Sequence, residues 1–300
     1  MADPAFRCGY ATIVGRTNVG KSTLLNRLLG QKISVTSRKP QTTRQRLMGI
    51  KTRPRYQIMY VDTPGFHQAP DRALNRYMNR AASNALLGVD VVIWLVEAVR
   101  WTDMDAQILE RLSGLQTTVL LGVNKIDRVV PRTKLLSFLE GLSKYPVARE
   151  IIPLAAGRGE NVQRLEEIVV RYLPAQDAIF PEHQLTDRSD QFLAAEFIRE
   201  KLIRRLGQEL PYRLDVQIEH SVKRDRVLHV DAIIWVERKS QKAIVIGERG
   251  RVLKDAGSAA RKDLERLFGR QVFLQLWVKV KEDWSDDERA LPRMGYLEHG

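Results

Sequence analysis

The sequence predicts a doubly wound α/β domain with a mostly parallel sheet over residues 1–174, followed by a small α+β domain over 191–282. Three observations support that reading. Strand-like apolar runs alternate with amphipathic helical stretches from residue 10 to about 174. Pro174, Pro181 and a cluster of polar residues then break the periodicity, which marks 175–190 as a linker. Beyond it the order changes to helix, two strands, two helices and a strand. Residues 283–300 carry five acidic and two basic residues and read as an acidic C-terminal tail.

The expected strands of the first domain are 11–15, 56–62, 90–97, 117–124 and 150–155, and the expected helices are 21–30, 72–87, 104–113, 133–144 and 161–173. Val91-Val92-Ile93-Trp94-Leu95-Val96 is continuously apolar, as suits a strand covered on both faces. In the second domain a helix is expected over 191–207, strands over 212–220 and 227–237, a short helix and a longer one over 251–268, and a strand over 271–280. Cys8 is the only cysteine, so an intrachain disulfide is excluded and a reducing cytoplasm is expected. No signal-peptide pattern opens the chain, and its longest apolar runs are strand-length, which predicts a soluble protein. A net charge of +13 points to a polyanionic partner, either nucleic acid or an anionic membrane surface.

Gly15-Arg16-Thr17-Asn18-Val19-Gly20-Lys21-Ser22 follows the apolar run Ala11 to Val14 and leads, with Thr23, into a helix marked by Leu24, Leu25, Leu28 and Leu29. A G-x-x-x-x-G-K-S loop in that setting turns backbone N–H groups around a phosphate at the positive end of a helix. Lys21 can reach the β- and γ-phosphates, and the Ser22 hydroxyl can ligand Mg²⁺. Asp62-Thr63-Pro64-Gly65 ends a second apolar strand, placing Asp62 to hold Mg²⁺ and the Gly65 N–H to sense a γ-phosphate. Asn124-Lys125-Ile126-Asp127 ends a third. The Asp127 carboxylate can accept both the N1–H and the 2-amino hydrogens of guanine, a donor pair adenine lacks, so the site is expected to take GTP.

Between these lies Arg38-Lys39-Pro40-Gln41-Thr42-Thr43-Arg44, where one of the two threonines should complete the Mg²⁺ shell; the residues alone do not say which. Residues 32–55 hold eight basic side chains and no acid, which reads as a solvated face or a partner contact. Phe66 follows Gly65 where Ras-like enzymes carry a water-orienting glutamine. Its ring cannot hydrogen-bond, so hydrolysis must rely on Lys21, Mg²⁺ and backbone groups, or on outside help. His67 reads as a solvated loop residue rather than a base.

The set Asn18-Val19-Gly20-Lys21-Ser22, Gln41-Thr42-Thr43-Arg44 and Asp62-Thr63-Pro64-Gly65, with Leu185-Thr186-Asp187-Arg188 and Glu288-Arg289-Ala290-Leu291, resembles the Era family of bacterial ribosome-assembly GTPases over essentially the whole chain. The resemblance implies a phosphate-loop GTPase domain followed by a type II KH RNA-binding domain. It favours Thr43 over Thr42 as the Mg²⁺ ligand, and a catalytic set of Lys21, Thr43, Gly65 and Asn18. It sets Ala155-Ala156 near guanine O6 with the Ala156 N–H donating, although relatives usually carry serine where this chain has Ala155. Through Asn18 it also implies K⁺ beside the phosphates as an activator.

In the second domain, Gly247-Glu248-Arg249-Gly250 lies between Ile246 and the helix opening at Arg251, with Lys254 one turn on. Two glycines permit close approach of a sugar–phosphate backbone, and a KH domain clamps about four nucleotides there. Residues 238–270 hold ten basic and four acidic side chains, a local surplus of six positive charges. The implied partners are GTP or GDP, the 3′ end of small-subunit ribosomal RNA and the small subunit itself. A cytoplasmic monomer assisting small-subunit maturation is expected; a regulatory GTPase held weakly at the inner face of the cell membrane is the alternative.

Overall fold

Val91 to Val96 are all excluded from solvent, and a strand so buried needs a layer of side chains on each face. The computed structural model supplies both layers; it describes residues 5–37, 39, 43–66, 73–207, 210–287, 289–293 and 296, in two units. In the first unit the chain runs β1 (Arg7–Val14), α1 (Lys21–Leu29), β2 (Leu47–Arg53), β3 (Tyr56–Asp62), α2 (Ala73–Asn84) from Tyr77 onward, β4 (Val91–Glu97), α3 (Asp103–Ser113), β5 (Thr118–Asn124), α4 (Thr133–Ser143), β6 (Glu150–Pro153) and α5 (Val162–Tyr172). The sheet order is β2-β3-β1-β4-β5-β6, parallel except for β2. On one face Trp94 packs with Met104, Ile108 and Leu112 of α3 and with Leu135 and Leu142 of α4. On the other lie α1 and α5.

Strand β2 falls in the basic stretch 32–55, where no strand was expected. Leu47, Met48 and Ile50 are buried there, and the segment pairs antiparallel with β3 at the sheet edge. Its arginines and lysines masked that short apolar signal. Gly49 makes the fit possible, since a Cβ there would lie 2.5 Å from Leu29 Cδ1 of α1. The stretch after α5 also runs along this sheet. The Cys8 N–H donates to Pro174 O at 3.1 Å, Phe180 packs on Cys8, Met48, Ile50 and Met59, and Thr186 Oγ1 donates to Met48 O at 2.7 Å.

The second unit comprises α6 (Asp190–Arg205), β7 (Leu214–Arg224), β8 (Val227–Val236), α7 (Lys239–Ile246), α8 (Arg251–Phe268) and β9 (Gln271–Val280). Ser189 caps α6 by accepting the Phe192 N–H at 3.2 Å. The sheet order is β7-β8-β9, with β7 and β8 an antiparallel hairpin and β8 and β9 parallel, the α7–α8 pair making the crossover. Ala256, Ala260 and Leu264 recur at i, i+4 and i+8 on α8 and join Phe197, Ile198 and Leu202 of α6 over the strands. Trp284 and Tyr296, from the acidic stretch, are buried in this unit and stack with ring centroids 6.4 Å apart. Val35 and its neighbours also belong to it. Val35 joins the apolar core, the Thr36 N–H donates to Glu200 Oε1 at 3.0 Å, and the Lys39 ammonium donates to the carbonyls of Ile203 and Leu206 at the end of α6.

Leu25 is fully buried on the face of α1 that meets β2. Leu25→Ala should cost about 2–5 kcal/mol, read as a lower urea midpoint with an unchanged slope.

Candidate functional site

In a doubly wound sheet the carboxyl ends of the parallel strands lie along one edge, and ligands bind there. Here β1 delivers Gly15, β3 delivers Asp62, β4 delivers Glu97, β5 delivers Asn124 and β6 leads to Ala155 and Ala156. The loop after β1 turns on Gly15 (φ 151°), Asn18 (φ 61°) and Gly20 (φ 109°). A Cβ on Gly20 would lie 2.3 Å from Asn124 Nδ2, so only glycine lets the guanine-loop asparagine close on the phosphate loop.

Lys21 is buried, and its ammonium donates to the carbonyls of Gly15 and Arg16, each at 3.0 Å. Burial pushes its pKa down to about 8; Asp62 opposes that shift and Arg16 adds to it. Asp62 is fully buried and its Oδ2 gathers hydroxyls: Ser22 Oγ at 2.8 Å, Ser34 Oγ at 2.9 Å and Thr43 Oγ1 at 3.4 Å. The Ser22 and Thr43 hydroxyls are themselves 2.8 Å apart. Burial raises the Asp62 pKa, against lowering by Lys21 and the three hydroxyls. The other oxygen, Oδ1, is buried without a hydrogen-bond partner. A carboxylate oxygen without a donor, beside two hydroxyls, is a donor set suited to a hard divalent cation. The residues therefore fit Mg²⁺, which Ser22, Thr43 and Asp62 would hold. Thr42 and Gln41 lie outside the described residues, as do Arg38 and His67.

Ser34 was not anticipated from the sequence. Its position depends on Asn26 of α1, whose Oδ1 accepts the N–H groups of Ile33 and Ser34, both at 2.9 Å, while its Nδ2 donates to Ser34 O at 2.7 Å. No local pattern marks that fold-back. Gly65 lies against the phosphate loop: a Cβ would come within 2.8 Å of Thr17 Cγ2 and 3.0 Å of Lys21 Nζ. Phe66 is buried, pairs by backbone with Arg16, and carries the Arg111 guanidinium 4.9 Å from its ring centroid. It serves as packing at the base of the site.

At the base-recognition end, Asn124 joins two loops. Its Nδ2 donates to Val19 O at 2.8 Å, and its Oδ1 accepts the Ala156 N–H at 2.9 Å. The amide expected to meet guanine O6 thus already serves Asn124, and a base would have to share it. Ala155 brings no hydroxyl. Its loop is held instead by the Ala155 and Gly159 N–H groups, which donate to Glu160 O at 3.1 Å and Ala155 O at 2.8 Å, and by Arg27 of α1, which donates to Ala156 O at 3.3 Å and Gly157 O at 2.6 Å. The Asp127 carboxylate stands at the rim, 3.4 Å from Arg158 Nε. Lys125 Nζ donates to Asn18 O at 2.8 Å.

In the second unit Gly247 (φ 73°), Arg249 (φ 48°) and Gly250 (φ 76°) make a tight loop between α7 and α8. A Cβ on Gly247 would lie 2.4 Å from Val252 Cγ2. Glu248, Arg249, Arg251 and Lys254 are exposed around it, with Ile246 partly buried behind. Beside the loop a cleft of about 450 Å³ runs between α8 and β9, lined by Gly250, Lys254, Gly257, Ser258 and Arg261 on one side and Phe273, Leu274 and Leu276 on the other. Gly257 and Phe273 were not anticipated. Gly257 lets α8 approach β9, its missing Cβ being 3.1 Å from Leu276 Cδ1, and Phe273 exposes its ring.

Two outcomes test this geometry. Gly65→Ala should slow hydrolysis by roughly tenfold or more through displacement of the γ-phosphate contact, with diphosphate binding far less affected, as paired turnover and binding assays would show. The Lys21 shift sets a pH dependence. Without nucleotide the folded protein sheds this proton near pH 8, whereas the unfolded chain keeps it to 10.5. The unfolded state therefore binds more protons in that window, so raising the pH should raise the stability of the nucleotide-free protein. Nucleotide affinity should fall over the same range, as the phosphates lose their ammonium partner. Calorimetric unfolding and titration binding from pH 7 to 10 would show both trends.

Comparison with known proteins agrees with both units. Residues 10–125 match the family described as 50S ribosome-binding GTPase, and residues 209–285 match the KH domain. GTPase Era of Pseudomonas putida is 54% identical over 290 residues, covering 97% of both chains. GTPase Era of Ectopseudomonas mendocina is 52% identical over 295 residues, covering 98% of this chain and 99% of its own. A crystal structure of Era in complex with MgGDPNP and nucleotides 1506–1542 of 16S ribosomal RNA has a TM-score of 0.94, 37% identity, and coverage of 97% of this chain and 99% of its own. A variant of Aquifex aeolicus Era bound to GDP·AlF4⁻ also has a TM-score of 0.94, at 36% identity, covering 97% and 100%. A phosphate-loop unit, a KH unit after it in the chain and this likeness over nearly the full length place the chain in the Era family of GTPases.

Proposed function

We propose that this GTPase binds the single-stranded 3′ end of small-subunit ribosomal RNA and assists maturation of that subunit, with GTP hydrolysis as its timer. The observation that carries the reading is the pairing of the two sites in one chain. A buried Asp62 gathers Ser22 and Thr43 in the first unit, and a glycine-turned loop opens onto a basic-rimmed cleft in the second. A relative bound to nucleotides 1506–1542 of 16S ribosomal RNA supports the choice of RNA. The net charge of +13 suits either partner, and it is the RNA-bound relative that favours RNA over a membrane surface; among the described residues no helix is long and apolar enough to cross a membrane.

The chemistry assigns a task to each residue. Asp62, Ser22 and Thr43 would hold Mg²⁺, which would supply positive charge against the phosphates. Lys21 presents its ammonium to the same phosphates, and the backbone N–H groups from Gly15 to Thr23 wrap them. The Gly65 N–H meets the γ-phosphate. Asp127 selects guanine, while Asn124 and Lys125 hold the two loops together. Phe66 offers nothing to orient water, so intrinsic turnover should be slow, and K⁺, held with the help of Asn18, would supply the missing positive charge.

RNA is held at Ile246 to Arg251 and by Lys254, with phosphates near the Gly247–Gly250 backbone and the bases in the cleft. The chain itself offers a link between the sites. Thr36 and Lys39 are fixed on α6 of the second unit, and Thr43, four residues after Lys39, stands beside Ser22 and Asp62 in the first.

Replacing Gly247 and Gly250 together by Asp should abolish binding of a 3′-terminal ribosomal RNA oligonucleotide and leave GTP affinity intact; retained RNA binding would remove the RNA assignment. GTP turnover should be faster in KCl than in NaCl, and Asn18→Ala should erase that difference. Equal rates in the two salts would end the K⁺ proposal.

A further inference from the structure

We infer that Glu97 is a positioning residue that brackets the phosphate loop to the guanine loop and thereby sets how tightly nucleotide is retained. Glu97 closes β4, the strand between those that deliver Gly15 and Asn124. Its two carboxylate oxygens serve different loops. Oε2 accepts Arg16 Nη2 at 2.7 Å, and Oε1 accepts Lys125 Nζ at 3.0 Å. Lys125 also donates to the Asn18 carbonyl, so the two loops are joined both directly and through Glu97.

The far side of Arg16 is equally constrained. Its Nε lies 3.3 Å from Asp105 Oδ2, a fully buried carboxylate fixed in turn by the Thr102 N–H at 3.0 Å and the Thr102 hydroxyl at 2.7 Å. The Arg16 backbone meets Phe66, and its carbonyl accepts Lys21 Nζ. One arginine thus touches the phosphate lysine, the start of the Gly65 segment and, through Glu97, the guanine loop.

Arg16 and Lys125 side chains are only 10% and 19% exposed, so two cations share one small, largely dry space. Without the Glu97 carboxylate they repel each other; Arg16 keeps Asp105 and Lys125 keeps the Asn18 carbonyl, but no charge is left to offset both at the point where the two loops meet. Burial works against ionisation of Glu97, but hydrogen bonds and charges from Arg16 and Lys125 hold its carboxyl below the usual range. Its charge is therefore present throughout the physiological pH range. Neither loop pattern includes Glu97; it joins them only because β4 lies between β1 and β5 in the sheet.

The test is release of a fluorescent GDP analogue from the full-length chain. Glu97→Gln keeps the shape but leaves one acceptor oxygen for two cations, and should speed release about tenfold. Glu97→Ala should speed it further, while single-turnover hydrolysis of bound GTP changes much less. Adding Arg16→Ala to Glu97→Ala should have little further effect on release, because one bracket is broken twice. A carboxylate that only stabilised the fold would lower the unfolding midpoint and leave release unchanged well below it. Release within about twofold of wild type in Glu97→Gln, or fully additive effects in the double variant, would overturn the inference.

Discussion

A fully buried carboxylate in an α/β core is costly unless it is bonded or bound to a cation, and Asp62 is such a group. Its Oδ2 draws in hydroxyls from three separate places in the chain: Ser22 at the start of α1, Ser34 in the loop after it, and Thr43 before β2. Its Oδ1 has no hydrogen-bond partner. The phosphate loop, the threonine loop and the Gly65 segment are thereby referred to one point at the end of β3. Lys21, whose charge burial disfavours, is stabilised by the same carboxylate. The proposed nucleotide chemistry rests on that single arrangement of one acid, one lysine and three hydroxyls.

The sheet order explains why these groups meet. Strands β3, β1, β4, β5 and β6 are parallel neighbours, so chain segments as distant as Ala11 and Val91 lie side by side. Asn124 and Glu97 then tie the strand ends laterally, through Val19, Ala156, Arg16 and Lys125. A charged bracket and an amide bracket together fix the spacing between the phosphate and base ends.

Much of this was legible in the sequence, for a physical reason. The glycine loop that leads to Lys21, the Asp62–Gly65 run and the Asn124–Asp127 run each begin at the end of an apolar strand, so position along the chain reports position in space. The fold class followed from the same alternation. The remainder depends on contacts that no local pattern encodes. Ser34 is placed by the Asn26 side chain, and Arg27 reaches across to carbonyls some 130 residues away. Strand β2 hid among basic residues because only Leu47, Met48 and Ile50 turn inward. In the second unit the two glycines of the loop were visible, yet Gly257 and Phe273 gain meaning only where α8 crosses β9.

The claim most central to this account is that Asp62 organises the metal-dependent chemistry. The direct measurement is the Mg²⁺ concentration giving half-maximal GTP hydrolysis in Asp62→Asn against wild type. An amide keeps the size of the side chain and one acceptor oxygen but removes the charge. The Mg²⁺ requirement should rise about tenfold to 100-fold, with Mg²⁺-free GDP binding largely retained. An unchanged Mg²⁺ requirement would contradict it.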